Sequence, residues 1–114
     1  MITGTGIDIV SINRIKKSLE EHSGRFIVKI LSEEEIKIIP SARREEFIAG
    51  RFAAKEAMVK ASGTTFSFSS ITILNDEKGK PFIKSIPDNM QNKKIHVSIS
   101  HDTDYAIASV IIEE

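Results

Sequence analysis

Two carboxylates, a lysine and a histidine are the side chains in this 114-residue chain that could act together on a phosphate group. Asp8 stands between two isoleucines in a segment with the pattern of a strand, where aspartate is uncommon. Glu56 shares a helical arc with apolar residues, and Lys60 follows it by one turn. Carboxylate oxygens suit Mg²⁺, which binds phosphate oxygens and keeps water ligands, while Lys60 and His101 could hold the phosphate. The residues therefore indicate a phosphoryl-type site that is built from separate elements.

Each of these residues also has a simpler explanation. Asp8 could be an edge-strand aspartate that faces water, and Glu56 with Lys60 could be a helix-stabilising pair worth a few tenths of a kcal/mol. Phe52 and Val59 flank Glu56 on its arc, which favours a half-buried carboxylate over a solvated pair.

Several other kinds of site are excluded by composition and spacing. The chain has no cysteine, so disulfides and thiolate chemistry are absent, and its histidines lack the spacing of a zinc site. The glycines at 4 and 6 open neither of the phosphate-binding loops that glycine-rich motifs form. No serine stands in a G-x-S-x-G elbow, which argues against a hydrolase. The formal net charge of zero argues against nucleic acid as a partner.

The first elements are a strand and a helix. Residues 2–10 alternate as a strand in which Asp8 lies on the opposite face from Ile7 and Ile9. Ser11 is predicted to cap a helix that ends at Gly24. Arg14 and Lys17 lie on the outer side of that helix, which is either a solvated face or a docking surface for an acidic partner.

Glu56 belongs to a predicted long helix that starts at Ser41, as N-cap, and stops at Gly63. About 20 residues at a rise of 1.5 Å give roughly 30 Å of helix. One face is predicted to be core, and it comprises Phe47, Gly50, Ala54, Ala57, Met58 and Ala61. The opposite face holds Phe52, Glu56 and Val59. A capping box at Ser32–Glu35 opens a short helix before it.

The chain after Gly63 is predicted to form strands at 71–74, 81–83, 96–100 and 105–112. His101 falls at the tip of the last hairpin, whereas His22 is interpreted as incidental and His96 as structural. The predicted fold is α+β, with one long central helix packed on a small antiparallel sheet in a single domain over 1–114. No apolar run reaches the roughly 20 residues of a membrane span, so we expect no membrane contact and a cytoplasmic protein.

Three blocks of the sequence resemble the holo-[acyl-carrier-protein] synthase family of small phosphopantetheinyl transferases. They are Gly6-Ile7-Asp8-Ile9-Val10 with Arg14-Ile15, then Arg51-Phe52-Ala53-Ala54-Lys55-Glu56-Ala57 with Lys60-Ala61, then Val97-Ser98-Ile99-Ser100-His101. The blocks stand in the family's order and spacing, and the likeness runs over nearly the whole chain. After Gly63 the chain departs from the family, because Thr64-Thr65-Phe66 replaces a longer segment with a second glycine.

The resemblance implies the transfer of 4′-phosphopantetheine from coenzyme A to a serine of apo acyl carrier protein, in fatty-acid biosynthesis. It implies that Asp8 and Glu56 hold Mg²⁺ and that Lys60 lies near the transferred phosphate. His101, Arg43, Arg51 and the Gly63 segment are expected to bind coenzyme A, and Arg14 is expected to dock the acidic carrier. The family is a homotrimer with sites between protomers. We expect the same here, with a neighbouring subunit covering the apolar Phe52–Val59 face.

Two other functions fit the residues less well. A small Mg²⁺-dependent nucleotide pyrophosphate hydrolase would need more carboxylates grouped on one helix, and Glu33–Glu35 is already explained by capping. An RNA-binding α+β module would need exposed aromatic residues on a central strand, which Thr72, Ser98 and Ser100 do not provide.

Overall fold

The computed structural model describes residues 1–114 and has an α+β fold with two antiparallel sheets. Strand β1 spans Ile2–Ser11, and helices α1, α2 and α3 span Ile12–Ile30, Glu33–Lys37 and Arg44–Ser62. Strands β2, β3, β4 and β5 then span Thr72–Asn75, Pro81–Ser85, Lys94–His101 and Tyr105–Glu113. Short 3₁₀ turns occur at Phe68–Ser70 and Asp88–Met90. None of the helices is both long enough and apolar enough to cross a membrane.

The larger sheet has the order β1-β5-β4, and β2 pairs with β3 in a separate hairpin. Burial alternates along β1 and β5, so one face of this sheet packs on α3 and the other is exposed. Asp8 pairs with Ala108, which is fully buried on the helix side. Asp8 therefore points toward α3, as the alternation predicts.

The glycines of β1 allow α3 to lie directly on the strand. A Cβ placed on Gly6 would come within 2.0 Å of the carbonyl oxygen of Ala57, and one on Gly4 within 2.0 Å of that of Ala61. No side chain fits in those gaps, so glycine at both positions lets the two backbones touch. This close approach fixes Asp8 beside the C-terminal half of α3.

Two predicted helix ends are wrong. Helix α3 begins at Arg44 rather than after Ser41, and Arg43 precedes it in the left-handed conformation with φ 61°. Helix α1 does not end at Gly24 but continues, across a kink at His22, to Ile30. Ile30 is buried in the core, and Phe26 and Ile27 pack against it. This apolar contact outweighs the cost of about 1 kcal/mol for a helical glycine.

Three other predicted caps are confirmed. The hydroxyl of Ser11 accepts from the backbone N–H of Arg14, and Gly63 ends α3 in the left-handed conformation. Ser32 and Glu35 form the reciprocal capping box. Helices α1 and α3 have 19 residues each, so the chain has two long helices where the sequence predicted one. The β2–β3 hairpin and the β4–β5 hairpin lie where the sequence placed them.

Candidate active site

Asp8 and Lys60 meet where β1 crosses α3. The ammonium of Lys60 lies 3.3 Å from Oδ1 of Asp8 and donates to the carbonyl of Ile7 at 2.9 Å. Only 18% of the Asp8 side chain is exposed. The explanation of Asp8 as a solvent-facing edge residue is therefore wrong, although β1 is an edge strand. Lys60 also pairs with Asp8 across elements rather than with Glu56 one turn away, so the helix-pair explanation does not apply.

Asp8 and Glu56 line a single cleft of about 290 Å³, which we call the carboxylate cleft. Its remaining lining residues are Ile9, Val10, Arg14, Ile15, Ser18, Phe26 and Phe52. Glu56 is half-buried, as its apolar flanks predict. Arg14 is exposed on α1 at the edge of the cleft, so its charge lies within reach of a partner that approaches the carboxylates.

The donor set of the carboxylate cleft fits Mg²⁺. No group of three or more His, Cys, Asp or Glu side chains is close enough to form a complete protein cage. Two carboxylates with open space around them suit Mg²⁺, which keeps several waters and takes its other ligands from substrate phosphates. A softer metal would call for histidine or thiolate ligands, and the cleft has neither.

A second, largely apolar cleft of about 430 Å³ adjoins the first at Glu56, and we call it the aromatic cleft. It is lined by Phe26, Lys29, Ile30, Phe52, Glu56, Phe66, Ser67 and Phe68. The Phe52 ring lies 6.4 Å from that of Phe26 and 5.9 Å, edge-on, from that of Phe68. Residues of the same chain thus contact Phe52, but its ring stays partly exposed between the two clefts, and cover by a neighbouring subunit stays a prediction.

Arg43, Arg51 and His101 lie together around another cleft of about 360 Å³, which we call the basic cleft. Arg51 is buried, and its guanidinium donates to the carbonyl of Ile73 and to Oδ1 of Asn75. Its Nε–H has no hydrogen-bond partner. Burial lowers the pKa of Arg51, and the charge of Glu35 opposes that effect. Arg43 and His101 are exposed at the same opening.

The connection after His101 is held by the carboxylate of Asp102. Its Oδ1 accepts from the backbone N–H of Asp104 and of Tyr105, and these bonds lower the pKa of Asp102. The tight connection therefore fixes the end of β4, and with it His101, at the opening of the basic cleft.

The structure brings the predicted site residues together as two groups, not one. Asp8, Glu56, Lys60 and Arg14 form one group, and Arg43, Arg51 and His101 form the other. At 100° per residue, Glu56 and Phe47 of the basic cleft lie about 180° apart around α3. The helix thus separates the two groups within one chain. Gly63, the remaining predicted site residue, is in neither group and caps α3 three residues after Lys60.

Sequence reasoning missed two buried charges next to these groups. Lys55 and Glu35 have no exposed surface, and they form an ion pair between the two clefts. The sequence explains Glu35 entirely by its capping box and assigns no role to Lys55. The signal that could have found Lys55 is its position on the α3 wheel, 100° from Ala54 and 60° from Met58.

Comparisons with known proteins converge on one family. Residues 4–110 match the model of the 4′-phosphopantetheinyl transferase superfamily. A holo-[acyl-carrier-protein] synthase of Geobacillus sp. (strain WCH70) is 51% identical, over 99% of this chain and 98% of that protein. The structure is similar to that of a holo-(acyl-carrier-protein) synthase from Bacillus anthracis str. Ames in complex with CoA (3′,5′-ADP). It has a TM-score of 0.87 and 41% identity to it, covering 100% of this chain and 98% of that one. The Helicobacter pylori holo-[acyl-carrier-protein] synthase in complex with coenzyme A is also similar, with a TM-score of 0.86 and 37% identity, covering 96% of this chain and 99% of that one.

Proposed function

The chain belongs to the 4′-phosphopantetheinyl transferase superfamily, and from this membership we propose its reaction and the residues that carry it out. It is a holo-[acyl-carrier-protein] synthase, which moves 4′-phosphopantetheine from coenzyme A to a serine hydroxyl of apo acyl carrier protein. The other product is adenosine 3′,5′-bisphosphate. The observation that carries the proposal is the carboxylate pair, Asp8 and Glu56, in one cleft with Lys60 in contact with Asp8.

In this proposal Asp8 and Glu56 hold Mg²⁺, which supplies charge neutralisation on the pyrophosphate of coenzyme A when it is bound. Lys60 is free to turn from Asp8 toward a phosphate, because more than half of its side chain is exposed. Its ammonium then stabilises the negative charge on the phosphoryl oxygens as the serine oxygen attacks and adenosine 3′,5′-bisphosphate leaves.

The basic cleft is proposed to hold the other phosphates of coenzyme A. Two buried cations, Lys55 and Arg51, share one buried carboxylate, Glu35, so this region carries an excess positive charge. Arg51 faces the cleft, and the exposed Arg43 and His101 add further donors at its opening. An anionic ligand there would compensate the charge, and a nucleotide with several phosphates suits three separated donors.

The homotrimer is supported by the two-cleft arrangement and by an exposed apolar face. The sheet face away from α3 leaves four isoleucines exposed, namely Ile7, Ile9, Ile107 and Ile111. A patch of this kind marks an association surface. Because α3 separates the carboxylate cleft from the basic cleft within a chain, a complete site would combine the carboxylate cleft of one protomer with the basic cleft of the next. A heterologous contact repeated three times closes such a ring.

The carrier protein is proposed to dock on α1. Arg14 lies at the edge of the carboxylate cleft, and Lys16 and Lys17 are exposed on the same helix. Basic side chains around the cleft would orient an acidic carrier so that its serine enters beside Asp8 and Glu56. We propose that the whole chain, 1–114, acts as one transferase domain in the cytoplasm, where both of its substrates dissolve.

The test is intact-mass spectrometry of apo acyl carrier protein after incubation with coenzyme A and Mg²⁺. The expected result is a gain of one phosphopantetheine on the carrier, and adenosine 3′,5′-bisphosphate in equal amount. A carrier with the target serine replaced by alanine, and a reaction with chelator, are the controls. Consumption of coenzyme A without modification of the carrier would instead identify a pyrophosphate hydrolase, which no grouping of carboxylates supports.

A further inference from the structure

The buried ion pair between the clefts is not accounted for by the proposed reaction. Lys55 and Glu35 line neither the carboxylate cleft nor the basic cleft, and both have 0% exposed surface. Buried ion pairs add little to stability on average, because the loss of solvation offsets the attraction between the charges. The contacts of the two side chains therefore decide what the pair does.

Lys55 ties three chain segments to α3. Its ammonium donates to the carbonyl of Ile30 at the end of α1, at 2.8 Å. It also donates, at 2.9 Å in each case, to the carbonyls of Phe68 in the 3₁₀ turn and of Ile71 just before β2. Ile30 and Phe68 are walls of the aromatic cleft, and Glu56, the residue after Lys55, lies in the same cleft. One ammonium thus fixes these walls relative to Glu56.

Glu35 extends the connection to the other flank of α3. Its Oε1 pairs with Lys55, and its Oε2 accepts from the backbone N–H of Ile73 at 3.0 Å. The same Oε2 lies 4.0 Å from Nε of Arg51, and Nη2 of Arg51 donates to the carbonyl of Ile73 at 3.1 Å. Glu35 and Arg51 therefore both bind Ile73 of β2, Glu35 at its N–H and Arg51 at its carbonyl. The link from Glu35 to Arg51 runs through this shared residue and through the charge attraction across 4.0 Å.

We propose that the Lys55–Glu35 ion pair is a positioning unit for the transfer reaction, an inference that rests on the proposed function. Lys55 holds the aromatic walls in register with Glu56, and Glu35 holds Arg51 in the basic cleft. Neither residue touches the reacting atoms, so neither is a catalytic residue. The pair couples the two flanks of α3, because a displacement of Glu35 changes both Lys55 and Arg51.

The transfer kinetics of Lys55→Met and Glu35→Gln test this unit. Circular dichroism gives the folded fraction of each variant, and the transfer rate is divided by that fraction. Lys55→Met is expected to lower kcat about tenfold to a hundredfold, which is the effect of ångström-scale misplacement of a catalytic group. Glu35→Gln is expected to raise KM for coenzyme A by a larger factor than it lowers kcat, because it acts through Arg51.

The matched control is the exposed pair of Lys84 and Glu34, 2.6 Å apart on neighbouring elements. Lys84→Met and Glu34→Gln should leave kcat and KM unchanged.

Hydrogen exchange gives a second readout that does not depend on activity. In the wild-type chain the amides of Ser70 and Ile71, which close the 3₁₀ turn, should exchange nearly as slowly as those of β5. In Lys55→Met, or in the charge-neutral double variant Lys55→Met/Glu35→Met, they should exchange much faster while β5 stays protected. Rapid exchange of these two amides in the wild-type chain would overturn the proposal even if no variant folds.

If both single variants keep the wild-type KM and the wild-type kcat per folded molecule, the proposal is overturned. The ion pair would then have a structural role alone. A wild-type chain that does not modify the carrier would defeat the proposed function instead. The exchange measurement would still show whether Lys55 fixes the 3₁₀ turn, so the two failures are distinguishable.

Discussion

Asp8 and Glu56 occupy positions where packing alone would favour apolar side chains. Asp8 lies on the buried face of β1, and Glu56 lies among the phenylalanines Phe26 and Phe52. Neither carboxylate has a buried cation of its own, since Lys60 is largely exposed. Carboxylates kept in such places without a permanent partner are typical of binding sites for hard cations and phosphates.

Asp8→Asn and Glu56→Gln are expected to lower transfer at ordinary Mg²⁺ by a factor of about 10³ or more, while the fold stays intact, because each removes a ligand charge from a two-carboxylate site. Transfer is measured as holo carrier formed per unit time over a Mg²⁺ series. Circular dichroism with thermal unfolding serves as the control for folding. Near-normal turnover of either variant at low Mg²⁺ would remove that residue from the metal site.

Arg14→Glu is expected to raise KM for the carrier about tenfold or more and to leave coenzyme A binding nearly unchanged, because it reverses a charge at the rim of the carboxylate cleft. The defect should shrink as salt is added, since exposed charges are screened. Lys37→Glu, an equal reversal on the exposed end of α2, is the matched control. A normal KM for the carrier together with weakened coenzyme A binding would refute the docking role.

The contact between β1 and α3 is the element-scale feature on which the site depends. The alternation in β1 predicted which face Asp8 occupies, and the helical wheel predicted the half-buried state of Glu56. Neither pattern could predict that the backbones touch at Gly4 and Gly6, because that contact joins residues more than 50 positions apart. In the sequence the two glycines only invite a phosphate-binding loop, whose motif they do not complete.

Gly6→Ala is expected to destabilise the protein by about 1–3 kcal/mol, as overpacking does, because its Cβ meets the carbonyl of Ala57. It should also lower transfer per folded molecule, since β1 must move away from α3 and carry Asp8 with it. Chemical denaturation and carrier modification measure the two effects. Gly24→Ala is the control, because no atom lies within 4 Å of a Cβ there. Wild-type activity in Gly6→Ala would show that the site tolerates a shift of β1.

Buried charge is the feature of the elements that the sequence predicted least well. The capping box correctly placed Glu35 at the start of α2, but it did not reveal that the same carboxylate pairs with Lys55, 20 residues away. A lysine within a helix is ordinarily solvated, and only the packing of α1, the 3₁₀ turn and β2 around α3 buries this one. The ends of α1 and α3 were mispredicted for a similar reason, because tertiary contacts rather than local caps decide them.

At the scale of the whole molecule, the sequence predicts a trimer from the apolar face of α3 at Phe52 and Val59. Phe26 and Phe68 of the same chain pack against Phe52, and Phe52 and Val59 both stay partly exposed. A second exposed apolar patch lies on the outer face of the larger sheet, where alternation in β5 leaves Ile107 and Ile111 uncovered. The sequence predicted this strand but not which of its faces is exposed.

Ile107→Lys is expected to dissociate the trimer and to abolish transfer, because it places a charge on the outer face of the central strand β5. Val28→Lys is the control, since Val28 is 60% exposed on α1, outside the sheet. Sedimentation velocity across a dilution series gives the mass, and activity is read at each concentration. A monomeric Ile107→Lys with full specific activity would show that one chain contains a complete site.

Mixing two inactive variants tests whether each site is shared between protomers. Glu56→Gln changes the carboxylate cleft and leaves the basic cleft intact, whereas His101→Ala changes the basic cleft and leaves the carboxylate cleft intact. If a site combines the carboxylate cleft of one protomer with the basic cleft of the next, mixed trimers contain interfaces in which both halves are intact. For random assembly of equal amounts in a closed heterologous ring, about a quarter of the interfaces are intact. Co-refolded variants should therefore regain about that fraction of wild-type transfer, whereas a site contained within one chain would give no recovery at any mixing ratio.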